Sequence, residues 1–130
     1  MLKANLSILR ARFPVALDRI LASGQSAPIH FKYTNSASKP ELQTVRGEKT
    51  FPTYGTGNKE KLIEKWFKNL NLKKESLYAI TGLGDGSQVR HFLKHSGGGT
   101  FLMVAEKNPA SLMDTFSKLD CSYVLINYRL

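Results

Sequence analysis

The spacing of apolar residues divides the chain into a helical start, a strand-rich middle and an alternating remainder. Apolar side chains recur at helical spacing in residues 2–23, and Pro14 is expected to end one helix and begin another. Three runs with strand character follow at residues 29–34, 42–45 and 50–54, separated by turn-rich segments. These runs predict a small antiparallel meander.

The remainder of the chain predicts an α/β unit with parallel strands. A stripe of apolar residues at helical spacing around Trp66 predicts a helix whose tryptophan lies in the core. The elements predicted after it are a strand at 77–80, a helix at 87–95, a strand at 101–105, a helix opened by Asn108 and Pro109, and a third strand at 123–127. This β-α-β-α-β order is typical of a small Rossmann-like, three-layer unit with a short parallel sheet.

The length fits one domain over residues 1–130, with a helical lead-in at 1–25, a meander at 26–56 and a Rossmann-like half at 57–130. The segment after Gly86 is too short to build the second half of a nucleotide-dependent active site. We therefore expect a chain that is not catalytic alone. The edges of so short a sheet favour self-association.

Composition and charge narrow the class of protein and of partner. Hydrophobic residues make up 42% and charged residues 22%, which is typical of a soluble globular protein. We expect no membrane partner and, with a single cysteine, a cytoplasmic location. The net charge of +9 would attract nucleic acid, anionic lipid or a phosphorylated ligand. Since the basic residues are spread along the chain, a solvated surface is the favoured interpretation.

A glycine-rich turn between the first two predicted parallel strands is the most distinctive motif. Its glycines permit a tight turn and let a ligand approach the backbone, while the following helix N-terminus would face an anion. The acid that closes the second strand, Glu106, has the position that takes ribose hydroxyls in dinucleotide- and S-adenosylmethionine-binding folds. The candidate ligand-binding residues are Gly82, Gly84, Asp85, Gly86, Ser87 and Glu106.

Two interpretations of the turn stay open. In one, the glycines serve only chain reversal and the packing of helix on sheet. In the other, the turn binds a nucleotide or S-adenosylmethionine as a cofactor. Asp85 adds a negative charge, which suits a nucleoside or a cation better than a pyrophosphate.

Other candidate chemistry is thin, and no catalytic residue and no metal site is predicted. His91 and His95 have a spacing that metals use on a helix, but no third ligand lies near them in sequence. Cys121 has no activating neighbour and is expected to be a small buried apolar residue. Glu106 and Asp114 are alternatively solvated residues at helix ends, with Glu106 the better functional candidate.

Three short motifs occur in an order that matches a known family. The residues are Asn5, Leu9, Arg12, Phe13 and Pro14 in the first motif, Gly82, Gly84 and Gly86 in the second, and Val104, Glu106 and Pro109 in the third. In these motifs the chain resembles the N-terminal region of the motility accessory factor family. The members of that family are bacterial glycosyltransferases that modify flagellin. That region adjoins a domain related to hydroxymethylpterin pyrophosphokinases.

The resemblance implies a cytoplasmic Rossmann-like module beside a separate catalytic domain, so the chain is expected to be the N-terminal part of a longer protein or else a short stand-alone relative. That domain would transfer a nonulosonic acid from its CMP-activated form to serine or threonine of flagellin. The module would then support the transferase domain or dock a protein partner, flagellin among the candidates. Two rival functions are a nucleotide- or S-adenosylmethionine-binding domain of a truncated methyltransferase-like protein, and a basic nucleic-acid-binding module.

Overall fold

A computed structural model describes residues 1–23, 31–33, 41–54 and 58–129, which form a mixed α/β structure with two small sheets. The helices within these residues are α1 (Leu2–Arg12), α2 (Pro14–Ala22), α3 (Lys59–Lys68), α4 (Ser87–His95), α5 (Pro109–Lys118) and α6 (Ser122–Leu125). The strands are β1 (Phe31–Tyr33), β2 (Leu42–Arg46), β3 (Lys49–Pro52), β4 (Leu77–Thr81) and β5 (Phe101–Ala105). None of these helices is long and apolar enough to cross a membrane.

The helical start is interrupted at Phe13, as the position of the proline predicts. Phe13 leaves the helical region with φ of −135°, and Pro14 takes the first position of α2, where its missing N–H forfeits no helical bond. Backbone hydrogen bonds continue through the break, because the Phe13 N–H donates to the carbonyl of Leu9 and its carbonyl accepts from the N–H of Leu17. The two predicted helices are confirmed.

The strand-rich middle forms an antiparallel sheet in the order β1-β2-β3. Tyr33 pairs with Leu42, and Arg46 pairs with Lys49 across a turn in which Gly47 has φ of +60°. The predicted meander is confirmed within the described residues. Residues 29, 30 and 34 of its first predicted strand lie outside them. The sheet lies against the rest of the fold through β1, which packs on α5.

The two following strands pair in parallel, in a register that sets Leu77 opposite Phe101 and Thr81 opposite Ala105. Helix α4 connects them, and its observed limits are those of the helical pattern in the sequence. The predicted β-α-β arrangement is therefore confirmed for β4, α4 and β5. Because both strands run in the same direction, the glycine turn after β4 and Glu106 after β5 meet at one edge of the sheet.

The predicted third parallel strand at residues 123–127 is wrong, because residues 122–125 form the helix α6. A short apolar run fits a strand or a buried helix equally well by its pattern. Here the carboxylate of Asp120, one residue before the N-cap Cys121, accepts the N–H of Ser122 at 2.9 Å, and the helical turn that follows buries Val124 and Leu125. The chain then returns to β5 with a backbone hydrogen bond, from the Leu102 N–H to the Arg129 carbonyl at 2.8 Å.

The parallel sheet has one covered face and one exposed face within the described residues. Leu102 is buried in the core with residues of α1, α2, α4, α5 and α6. The opposite face carries Leu77, Phe101 and Met103, whose exposed fractions are 68%, 46% and 52%. The remaining residues of that face, Ala79, Thr81 and Ala105, are exposed as well. One face of the sheet is therefore apolar and open to solvent.

A buried asparagine ties the first helix to the last third of the chain. Asn5 is fully buried, and its amide nitrogen donates to the carbonyls of Phe116 at 2.9 Å and Leu119 at 2.8 Å. Its amide oxygen accepts the N–H of Cys121 at 3.1 Å. Two of these bonds satisfy carbonyls at the end of α5 and the third satisfies the Cys121 N–H, so together they hold the turn between α5 and α6 against α1.

We expect Asn5→Ala to lower the free energy of unfolding by about 3 kcal/mol, because it leaves three buried backbone groups without partners. Ser7→Ala, at an exposed position of the same helix, is the matched control and should change stability by less than about 0.5 kcal/mol. Urea unfolding followed by circular dichroism measures both. An equal effect of the two substitutions would contradict the role assigned to Asn5.

Candidate functional site

The glycine turn begins where β4 ends, and its three glycines all have positive φ. The angles are +82° at Gly82, +56° at Gly84 and +74° at Gly86. The Gly82 N–H still donates to the carbonyl of Ala105 at 2.8 Å, so the parallel ladder extends one residue past the strand. Other residues adopt these angles only with strain, and the turn therefore depends on glycine at these positions.

The glycine turn is held in place by the hydrophobic core and by α5. Leu83, between two of the glycines, is buried in the core, and its carbonyl accepts the N–H of Gly86 at 2.9 Å. The carbonyl of Gly84 accepts the hydroxyl of Thr115 on α5 at 3.0 Å. The hydroxyl of Tyr33 lies 3.1 Å from the Thr115 hydroxyl. Burial raises the pKa of Tyr33. The meander and α5 thus meet at the turn.

Asp85 joins three parts of the chain through a nearly buried carboxylate. It pairs with the ammonium of Lys59 on α3, and Oδ1 accepts the hydroxyl of Tyr54 at 3.0 Å. Oδ1 also accepts the N–H of Ser87 at 3.0 Å. Burial alone would raise the pKa of Asp85, but the bonds from Lys59 and Ser87 and the lysine charge outweigh it, so the pKa is lowered. Burial likewise raises the pKa of Tyr54.

This arrangement changes the expected role of the α4 N-terminus. The sequence predicts N–H groups near Ser87 that face an external anion. In the structure the carboxylate of Asp85 accepts the Ser87 N–H, so the chain supplies the anion itself. The N-terminus of α5 is similarly occupied, because the side chain of Asn108 accepts the N–H of Ala110 at 3.1 Å.

Glu106 lies beside the turn, as the parallel arrangement predicts. Its Oε2 accepts the N–H of Leu83 at 3.1 Å, and its Oε1 accepts the N–H of Asn108 at 2.8 Å. A Cβ at Gly82 would lie 3.7 Å from Oε2, which shows how closely the carboxylate approaches the turn. The two backbone donors fix the orientation of the carboxylate, and each oxygen keeps a further lone pair.

A cavity of about 730 Å³ opens at this edge of the parallel sheet. The meander contributes Tyr33, Leu42 and Tyr54 to its wall, and the strand ends contribute Gly82, Gly84 and Glu106. Asp85, Gly86 and Ser87, also predicted to bind a ligand, do not line it. Its volume lies within the range of small-molecule sites in proteins. Hydroxyls, carboxylates and an amide in its wall suit recognition by hydrogen bonds.

Sequence reasoning missed the contribution of the meander to this cavity. Tyr33 and Gly84, whose hydroxyl and carbonyl oxygens lie 3.4 Å apart, are 51 residues apart in sequence. Asp114 and Gln88 also line the cavity, and among the described residues their side chains have no hydrogen-bond partner. Gln88 could have been found from the sequence, because it follows Ser87 in the first turn of the predicted helix, next to the glycine turn.

The other candidate residues take structural positions. His91 and His95 stack with ring centroids 4.3 Å apart beside Phe67 of α3. The pKa of His91 is lowered mainly by burial and, to a smaller extent, by the charge of His95. Cys121 is buried, as predicted, and burial raises its pKa to about 11. Among the described residues, no group of three or more histidine, cysteine, aspartate and glutamate side chains is placed to hold a metal ion.

We expect Gly82→Ala and Gly84→Ala each to lower the free energy of unfolding by about 1–2 kcal/mol, because both positions require positive φ. Gly97→Ala is the matched control, since that glycine lies in open space with an ordinary φ, and its effect should stay within about 0.5 kcal/mol. Thermal unfolding measures all three. Equal stability of the Gly84 and Gly97 variants would refute the assigned strain.

We expect Asp85→Asn to lower the free energy of unfolding by about 1–2 kcal/mol at pH 7, because it removes the charge of a nearly buried carboxylate from its pair with the partly exposed ammonium of Lys59. The pKa of Asp85 lies below its ordinary value of 3.8 in the folded chain, so its stabilising contribution is present above that value. The contribution is lost as the pH falls through the lower folded value.

The variant should therefore lose less stability than the parent chain when the pH falls from 5 to 2.5. Asp18→Asn, at an exposed position of α2, is the charge-matched control and should keep the parent pH dependence. Urea unfolding at several pH values measures this difference. Parallel pH profiles for the parent and Asp85→Asn would contradict the ion-pair assignment.

The geometry thus defines a cavity at the carboxyl ends of two parallel strands, walled by the glycine turn, Glu106 and the meander. Comparison with protein-family models, curated proteins and solved structures finds no match to this chain.

Proposed function

We propose that the chain is a non-catalytic docking module whose open β4–β5 face receives an acidic, helical surface of a partner protein. The observation that carries the proposal is the exposure of Leu77, Phe101 and Met103 on one face of a parallel sheet. Parallel sheets occur almost only with both faces covered, and helices are their usual cover. A helical partner would add the third layer of a Rossmann-like arrangement.

The pattern of residues within the strands supports a covered face. The strands read Leu-Tyr-Ala-Ile-Thr and Phe-Leu-Met-Val-Ala, which are nearly continuous apolar runs. Strands of a sheet with one solvent-exposed face normally alternate apolar and polar residues. Leu77 lies opposite Phe101, and Ala79 lies opposite Met103, so these exposed residues form a contiguous apolar patch, and such patches mark interaction sites.

Charge indicates the chemistry of the partner. Lys73 and Lys74 are exposed before β4, with Glu75 between them and the strand, and Lys107 is exposed after β5, next to the half-buried Glu106. The formal charge of the whole chain is +9, so a second copy would bring like charge to the same face. An apolar helical stripe flanked by acidic residues complements both the face and its basic border.

The sequence resemblance to motility accessory factors extends the proposal to a specific setting. The partner surface would then belong to the transferase domain that modifies flagellin, and this chain would support it. The chain alone is expected to transfer no CMP-activated nonulosonic acid to flagellin. A measurable transfer by the isolated chain would overturn the non-catalytic part of the proposal.

A synthetic amphipathic helix tests the docking face directly. We expect a labelled peptide with a leucine stripe and glutamate flanks to bind the chain, and a peptide with the same stripe and lysine flanks to bind at least tenfold more weakly. Leu77→Gln and Met103→Gln should each weaken binding roughly tenfold, because each removes apolar area from the interface. Fluorescence anisotropy measures these affinities.

Val15→Gln is the matched control, since Val15 is 65% exposed on α2. It should leave the affinity unchanged. Equal binding of the two peptides, or equal losses in the Met103 and Val15 variants, would contradict the proposal. A dimer that sedimentation detects at micromolar concentration and that Met103→Gln dissociates would identify a second copy as the occupant instead.

A further inference from the structure

We infer that the cavity at the carboxyl edge of the parallel sheet binds an uncharged nucleoside, with Glu106 accepting hydrogen bonds from its neighbouring ribose hydroxyls. This inference goes beyond the docking proposal, because it rests on the cavity and on the fixed groups in its wall, and only Thr81 and Ala105 of the open face also line that cavity. The chain has about 730 Å³ of space there, enough for a ligand of nucleoside size. Ligands of open parallel sheets bind outside the carboxyl ends of the strands.

Glu106 is prepared to accept hydroxyl donors. The N–H groups of Leu83 and Asn108 hold its two oxygens at 3.1 Å and 2.8 Å, so its orientation is set before any ligand arrives. Two fixed acceptor oxygens on one carboxylate match two neighbouring hydroxyls. The positive φ of Gly82 brings the backbone close to this carboxylate, and a ligand held there would contact bare backbone.

The part of the cavity wall that comes from the meander suits a flat, largely apolar ring. Leu42, Tyr33 and Tyr54 come from the meander and line the cavity where the meander packs on the glycine turn. The Tyr33 hydroxyl lies 3.4 Å from the Gly84 carbonyl, and the Tyr54 hydroxyl is bonded to Asp85. Burial raises the pKa of both tyrosines, so their hydroxyls stay neutral at physiological pH. An aromatic base packed on this side would bury apolar surface while the sugar reaches Glu106.

Phosphate has no prepared place in this cavity. Phosphates bind most readily at helix N-termini, and at both helix N-termini of this edge one backbone N–H already donates to a side chain of the chain. Asp85 accepts the Ser87 N–H of α4, and Asn108 accepts the Ala110 N–H of α5. The cavity wall carries the carboxylates of Glu106 and Asp114 against the single ammonium of Lys107 within the described residues. An uncharged nucleoside is therefore favoured over its phosphorylated form.

Calorimetric titration of the chain with matched nucleosides tests the inference. Adenosine and cytidine are the probes, and at least one is expected to bind with a dissociation constant below about 1 mM. Its 5′-monophosphate should bind at least fivefold more weakly. The 2′,3′-dideoxy form of the same nucleoside should bind at least tenfold more weakly, because Glu106 then has no hydroxyl donor.

Asp114→Asn separates recognition of charge from effects on folding. Asp114 lines the cavity and its carboxylate makes no hydrogen bond within the described residues, so the variant should fold normally. It should reduce the ratio of the monophosphate dissociation constant to the nucleoside dissociation constant about threefold. The charge-matched Asp18→Asn should leave that ratio unchanged. Absence of heat with both nucleosides at 2 mM, equal binding of the dideoxy form, or tighter binding of the monophosphate would each overturn the inference.

Discussion

Parallel pairing of β4 and β5 through the single connecting helix α4 is the constraint on which the rest of the structure depends. It brings the end of each strand to the same edge of the sheet, so Gly82 and Glu106 become neighbours although they are far apart in sequence. The same pairing places Tyr78, Ile80, Leu102 and Val104 on the helical side and leaves Leu77 and Met103 on the other. A binding cavity and an open apolar face thus arise from one pairing.

The polar groups of the turn are largely satisfied within the chain. Asp85 bonds to α3 and to the end of the meander, the Gly84 carbonyl accepts from α5, and Glu106 accepts from the backbone of the turn itself. Each bond links segments that are distant in sequence, so the turn also serves as a structural junction. A site built this way is rigid before a ligand binds, which reduces the ordering that binding requires.

Local sequence patterns predicted most of the helices and strands, because the limits of these elements depend on residues that are neighbours in sequence. The break at Pro14, the limits of α4 and the helix opened by Asn108 all follow from short-range chemistry, and the structure contains each of them. The strand predicted at residues 123–127 was wrong because a five-residue apolar run does not distinguish a strand from a helix.

Long-range contacts set the limit of prediction for the site. Glu106 and the glycines could be placed together from topology alone, since parallel strands share a carboxyl edge. The partners of Asn5 lie more than 110 residues away, and no sequence pattern indicates them. The contribution of Tyr33 and Tyr54 to the cavity depends on how the meander packs on α5, which local periodicity does not specify.

Hydroxyl-radical footprinting with mass spectrometry tests the central claim, that the parallel sheet has one covered and one open face. Phe101 and Phe92 make a matched pair, since the first is 46% exposed on the open face and the second is fully buried. The account predicts rapid oxidation of Phe101 and Met103 and protection of Phe92 and Leu102. Protection of Phe101 and Met103 in the isolated chain, to the level of Phe92, would contradict it.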